Sequence, residues 1–118
     1  MLVRLLSSLL LQEGHEVLKA DNGIDAIDVI DNQKPDLVIL DLLISFITGY
    51  EIINYIRSIQ STYIKIVVVS KVSLDNVITE AFQLGADDYV SLPLQQSQLM
   101  ARIRRLSRYN LAEAKSYV

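Results

Sequence analysis

In the stretch PDLVILDLLIS, residues 35–45, the carboxylate of Asp41 stands at the end of the apolar run 37–40. The four aliphatics at 37–40 leave no side for water, so they read as a strand buried on both faces. Asp41 stands where that strand meets its loop. A lone Asp at such a point caps the next element, and only its surroundings can give it chemistry. Other polar groups recur at comparable points: Ser70, with Lys71 next to it, follows IKIVVV (64–69), and Ser91 follows DDYV. Asp87 and Asp88 open their strand and read as turn residues. His15, the only histidine, has no Ser, Cys or acid partner at triad-like spacing and reads as a solvated residue at a strand start. With no cysteine there is neither a disulfide framework nor a thiolate metal site. The four glycines are isolated, which argues against a Gly-rich phosphate loop and so against a nucleotide- or flavin-binding enzyme.

The chain that must position these groups has 118 residues, enough for one domain with a real core. Hydrophobic residues make up 51% and charged ones 21%, the balance of a globular rather than a disordered chain. A net charge of −3 argues against a general nucleic-acid surface. No apolar run approaches the roughly 18 residues a bilayer crossing needs. LVRLLSSLLL, residues 2–11, is interrupted by Arg4 and followed by no small-residue cleavage site, so it reads as a helix and not as a leader. Together with the absence of cysteine, this fits a reducing cytoplasm.

Leu2, Leu5, Leu6, Leu9 and Leu10 recur at helical spacing up to Gly14. HEVLKA (15–20) is a short strand, and Asp21 or Asn22 caps a helix with Ile24, Ile27 and Ile30 on one face. After the strand at 37–40 and an eight-residue step to Gly49 comes a helix through YEIINYIRSI. The strand at 64–69 follows, then a helix capped by Ser73, with Val77, Ile78, Ala81, Phe82 and Leu84 inward and Gly85 at its end. DDYVS (87–91) is a strand, and a helix from about Gln96 docks Leu99, Ile103 and Leu106. Arg102, Arg104, Arg105 and Arg108 form its solvated face. Residues 109–118 continue it as a C-terminal helical extension, since Leu111, Ala112 and Ala114 favour helix. Helices alternating with doubly buried strands require an α/β fold, a doubly wound parallel sheet with right-handed crossovers. In such sheets ligands gather at the carboxyl ends of strands, where Asp41, Ser70 and Ser91 sit.

Read together, these segments resemble the receiver domain of bacterial response regulators, a flavodoxin-like fold, over residues 1 to about 108. EGHEVLKADNGIDAIDVI resembles the family's second strand and helix, and PDLVILDLLISFITGYE its phosphoacceptor strand and loop. IKIVVVSKVS resembles the strand ending in the switch hydroxyl, and AFQLGADDYVSLP the segment with the switch aromatic. The resemblance implies that Asp41 accepts a phosphoryl group from a histidine kinase, with Ser70 as switch hydroxyl and Tyr89 as switch aromatic. It also implies Mg²⁺ held by Asp41, the backbone carbonyl of Leu43 and an acidic pair after the first strand.

The sequence departs from that pattern in two places. The family opens with a central strand ending in acids, whereas here Met1 already starts a helix and the first acid is Glu13. Where the family has a lysine before the proline of SLP, this chain has Leu92, which cannot bind an anion. Lys71 is the candidate substitute cation. Each such electrostatic contributor is worth about 2.7–4 kcal/mol, or roughly 10²–10³ in rate. The expectation is therefore a non-enzymatic signalling domain of a two-component phosphorelay, degenerate at its site and acting by protein–protein contact with a histidine kinase or other signalling protein. Asp41 would be a vestigial or weak phosphoacceptor with weak Mg²⁺ binding. The alternative is a competent receiver whose first strand and acids lie upstream of Met1. As read, the sheet has four strands and five helices, with a slot where the first strand belongs. Association into a homo-oligomer by element exchange would fill it.

Overall fold

A computed structural model of the protein describes residues 2–42, 47–59, 64–93, 95–107 and 115–117. In chain order the elements are α1 (Leu2–Gln12), β1 (Glu16–Leu18), α2 (Gly23–Gln33), β2 (Leu37–Leu40) and α3 (Gly49–Ser58). They continue as β3 (Lys65–Ser70), α4 (Asp75–Leu84), β4 (Asp88–Ser91), α5 (Gln96–Ser107) and β5 (Lys115–Tyr117). All strands are parallel, in the order β1-β5-β2-β3-β4.

The pleat sorts the core into two layers, one on each face of the sheet. Val38, Leu40, Ile66, Val68 and Tyr89 point to the layer roofed by α2, α3 and α4 through Ala26, Ile30, Ile52, Ile53, Ile56 and Ala81. Leu37, Ile39, Val67, Val69 and Val90 point to the other, covered by Leu6 and Leu10 of α1 and Leu99, Met100 and Ile103 of α5. This is the doubly wound, flavodoxin-like architecture expected, with its five helices.

The expected slot is not empty. β5 lies in it, pairing Glu16, Val17 and Leu18 of β1 with Lys115, Ser116 and Tyr117, and Leu37 and Val38 of β2 with Ser116 and Tyr117. Residues 115–117, read as helix from propensity, are thus a strand. Tertiary pairing outweighs a preference worth only tenths of a kcal/mol per residue. Residues 109–114 of the expected extension lie outside the described residues.

Local chemistry agrees with expectation at the start of α2 and differs from it further along. Asn22 caps α2, its side chain accepting from Asp25 N at 2.9 Å. Thr48 caps α3, with Oγ1 accepting from Glu51 N at 3.2 Å. The N-cap of α4 is Leu74, without a side-chain bond, and not Ser73. Ile24 of α2 and Phe82 of α4 face solvent, 53% and 44% exposed, because the sheet is approached by Ala26 and Ala81 instead. His15 is buried, 4% exposed, where the chain folds back from α1 and its backbone N–H donates to Leu10 O. A turn that tucks under its own helix leaves no solvated strand start. Asp87 and Asp88 are anchors. Asp87 accepts from Ile66 N at 2.8 Å and from Arg57, which also donates to the carbonyls of Gly85 and Ile64. Asp88 accepts from Arg102 at 2.8 Å.

Candidate functional site

The carboxyl ends of β2, β3 and β4 lie along one edge, where Asp41, Ser70 and Lys71 are placed, with Tyr89 inside β4. Asp41 follows Leu40 directly and is exposed. Its turn is fixed by glycine. A Cβ on Gly49 would sit 2.6 Å from Leu42 Cα and 2.8 Å from Asp41 O, so only glycine lets α3 begin against the turn at Asp41. Gly49 N donates to Leu42 O at 3.1 Å and closes the loop. From the other side, a Cβ on Gly23 would meet Ile47 Cβ at 2.5 Å, so α2 also starts in contact with that loop. Gly49 enters the sequence reading only through its spacing. Its packing role is signalled by a glycine directly after the capping residue Thr48.

Ser70 ends β3 fully buried, with Oγ accepting from Val72 N at 3.1 Å. Tyr89 of β4 is 7% exposed, its ring in the α2–α4 layer. Its hydroxyl donates to Val72 O at 2.6 Å. Both side chains thus hold the same backbone residue, from opposite sides of its peptide units. Val72 is a residue that no sequence pattern marks, because it acts through its backbone alone. Lys71, between Ser70 and Val72, is exposed. Leu92 packs partly buried against the α1–α5 layer.

Of the metal donors that the resemblance implies, Asp41 lies at this edge. Leu43 lies outside the described residues. Among the described residues no three of His, Cys, Asp and Glu come together.

The basic residues of α5 are committed to ion pairs. Arg102 and Arg105 flank Asp88, at 2.8 and 3.6 Å, and Arg104 pairs with Glu13, its Nε 2.8 Å from Oε1. That hydrogen bond from Arg104 holds the Glu13 carboxyl below its ordinary range. The face expected to be merely solvated therefore ties α5 to β4 and to the end of α1. Arg108 lies outside the described residues.

A family model, the response regulator receiver domain, matches residues 1–104. The chain belongs to this family. Among curated relatives, the transcriptional regulatory protein AfsQ1 of Streptomyces coelicolor is 35% identical over 99 residues, 84% of this chain. The chain spans only 43% of that relative's length. Among solved structures, a two-component response regulator from Clostridium difficile superposes with a TM-score of 0.83 at 29% identity, covering 90% of this chain and 86% of the other. The BeF3-activated N-terminal receiver domain of RstA from Klebsiella pneumoniae gives 0.81 at 27% identity, covering 88% and 87%. Receiver domains are signalling modules of two-component systems, contacting histidine kinases and other signalling proteins, and they typically bind Mg²⁺ at the phosphorylation site. Among the described residues no helix of this receiver is long and apolar enough to cross a membrane.

Proposed function

We propose that this receiver is degenerate at its phosphorylation site and signals by protein–protein contact, with Asp41 a weak phosphoacceptor. The observation that carries this reading is the engaged pair Ser70 and Tyr89. The tyrosine ring is inside and its hydroxyl lies 2.6 Å from Val72 O. A switch residue already held inward presents one surface to its partner whether or not Asp41 is modified. The chemistry points the same way. In-line attack by a carboxylate builds charge on three equatorial oxygens, which must be neutralised by an ion, a lysine and a hydroxyl. Ser70 supplies the hydroxyl, Leu92 occupies the lysine's position, and Lys71 is the one candidate substitute. Mg²⁺ binds weakly here, through Asp41 and the carbonyl of Leu43. The partner is a histidine kinase or another signalling protein of the cytoplasm, and the receiver also associates with itself. It carries out no enzymatic turnover and contacts neither membrane nor nucleic acid.

The test is incubation with acetyl phosphate and Mg²⁺, followed by mass spectrometry of the intact chain and of the peptide holding Asp41. The expected result is no phosphoryl adduct. An adduct on Asp41 that disappears in D41N would overturn the degenerate reading in favour of a competent receiver. Its further loss in K71A would identify Lys71 as the replacement cation.

A further inference from the structure

Of the five asparagines only Asn22 precedes a glycine; the others precede Gln33, Tyr55, Val77 and Leu111. Two demands of the fold bring that pair together. Asn22 caps α2 and meets Asp25 twice, with Oδ1 accepting from Asp25 N at 2.9 Å and Nδ2 donating to the Asp25 carboxylate at 3.1 Å. Gly23 is buried, and a Cβ there would come within 2.5 Å of Ile47 Cβ and 2.8 Å of Ile47 O. The first turn of α2 therefore needs glycine where it meets the loop after Asp41, directly behind a cap that uses both ends of an amide.

We propose that Asn22 is a site of deamidation and that its hydrogen bonds with Asp25 gate the reaction. The backbone nitrogen of Gly23 attacks Cγ of Asn22, forming a C–N bond as the Cγ–Nδ2 bond breaks. The proton of Gly23 N passes to solvent, the departing nitrogen takes one up, and ammonia leaves a five-membered succinimide. Water then opens either ring carbonyl. One opening restores the ordinary backbone with aspartate at position 22; the other carries the backbone through the side chain as isoaspartate. Glycine favours the attack because it sets no Cβ beside the attacking nitrogen.

The folded chain holds the reacting atoms apart. Ring closure requires Cβ of Asn22 to eclipse the Gly23 nitrogen about the Cα–C bond, and the extended backbone of Asn22, with ψ 171°, keeps the two staggered. Turning ψ to the eclipsed position moves the first peptide of α2 away from the cap and parts Asn22 from Asp25. Either product then alters this end of the helix. Aspartate still accepts from Asp25 N but sets a second carboxylate oxygen where Nδ2 met the Asp25 carboxylate, like charge against like. Isoaspartate adds a backbone carbon ahead of Gly23, which is already in close contact with Ile47.

The test follows the exchange of NH₂ for OH at Asn22 by peptide mass spectrometry, with the chain incubated at neutral pH in buffer and in urea. The expected result is a mass gain at Asn22, appearing as separable aspartate and isoaspartate peptides, slower in buffer than in urea and in urea faster than at Asn32, Asn54 or Asn76. N22D, which already carries the product residue, should show no gain in this peptide. D25A should react in buffer roughly 2- to 10-fold faster than the unsubstituted chain, the change in open population on losing one hydrogen bond, and equally fast in urea. I66V removes a buried methyl group from the core, a destabilisation of similar size that leaves the cap intact, and should leave the rate in buffer unchanged. No gain at Asn22 in urea overturns the site. Equal rates for D25A and the unsubstituted chain in buffer, or an equal acceleration by I66V, overturn the gating by Asp25. The reaction needs no phosphoryl group, so none of these outcomes bears on Asp41.

Discussion

The two sides of the sheet are built to different standards. From β2 to β4 the strands are paired along their lengths, buried on both faces, and end in Asp41, Ser70 and the segment holding Tyr89. From β1 to β5 the strands are three residues each, β1 is only half-buried, and their pairing ends short of the level of Asp41. In the family pattern the first side holds phosphoacceptor and switch, and the second supplies the metal-binding acids. Under the reading proposed above, switch and acids depend on different strands: the switch side is paired along its length, and the described strands of the other side are three residues each.

The largest effect that sharpens this comparison comes from one deletion on each side. Ile66→Ala removes a fully buried side chain from the middle of β3 and should cost about 2–5 kcal/mol in urea unfolding. Val17→Ala, on half-buried β1, should cost less than half as much. Equal losses would show that β1 and β5 are as firmly integrated as the centre of the sheet, and the contrast would fail.

A smaller effect tests the switch itself. Tyr89→Phe keeps the ring in its layer and removes the hydroxyl that donates to Val72 O. The loss should be about 0.5–1.5 kcal/mol, the usual net value of one hydrogen bond. Amide exchange should quicken at Val72 and its neighbours and remain unchanged in β2. If the loop after Ser70 exchanges no faster in the variant, the tyrosine does not hold it.

These contrasts also explain what the sequence made legible. β2 and β3 stand out because four or more consecutive aliphatics admit no amphipathic alternative, and with them came the parallel sheet and the position of Asp41. β5 does not stand out. LAEAKSYV is polar and alanine-rich, and its strand conformation arises only because β1 and β2 leave unpaired backbone on either side. The helix faces of Ile24 and Phe82 were misplaced because small residues, Ala26 and Ala81, make the closest approach to the sheet, and hydrophobicity ranks them below isoleucine and phenylalanine. At the site, the family resemblance alone singles out Ser70 and Tyr89, whereas Val72 contributes only a peptide unit and leaves no trace in residue type.

His15 gives the smallest predicted effect, on the weaker side of the sheet. It precedes β1 and is buried, and that burial lowers its pKa below the ordinary 6.5, with the charge of Glu13 opposing in part. A base with a depressed folded pKa binds fewer protons folded than unfolded. Stability should therefore be full above pH 6.5 and fall as pH drops below it, levelling off once the folded form is protonated too. Glu13 has the opposite chemistry and a lower window, its carboxyl lowered from 4.5 by the hydrogen bond from Arg104, so its contribution is lost only in more acidic solution. Urea unfolding between pH 5 and 8 isolates the histidine, and His15→Gln should flatten the curve over that range. A variant that keeps the slope would place the titrating group elsewhere. If the slope vanishes and amide exchange in β1 quickens with acid while β3 is unmoved, the protonation of His15 loosens the side of the sheet that depends on β5.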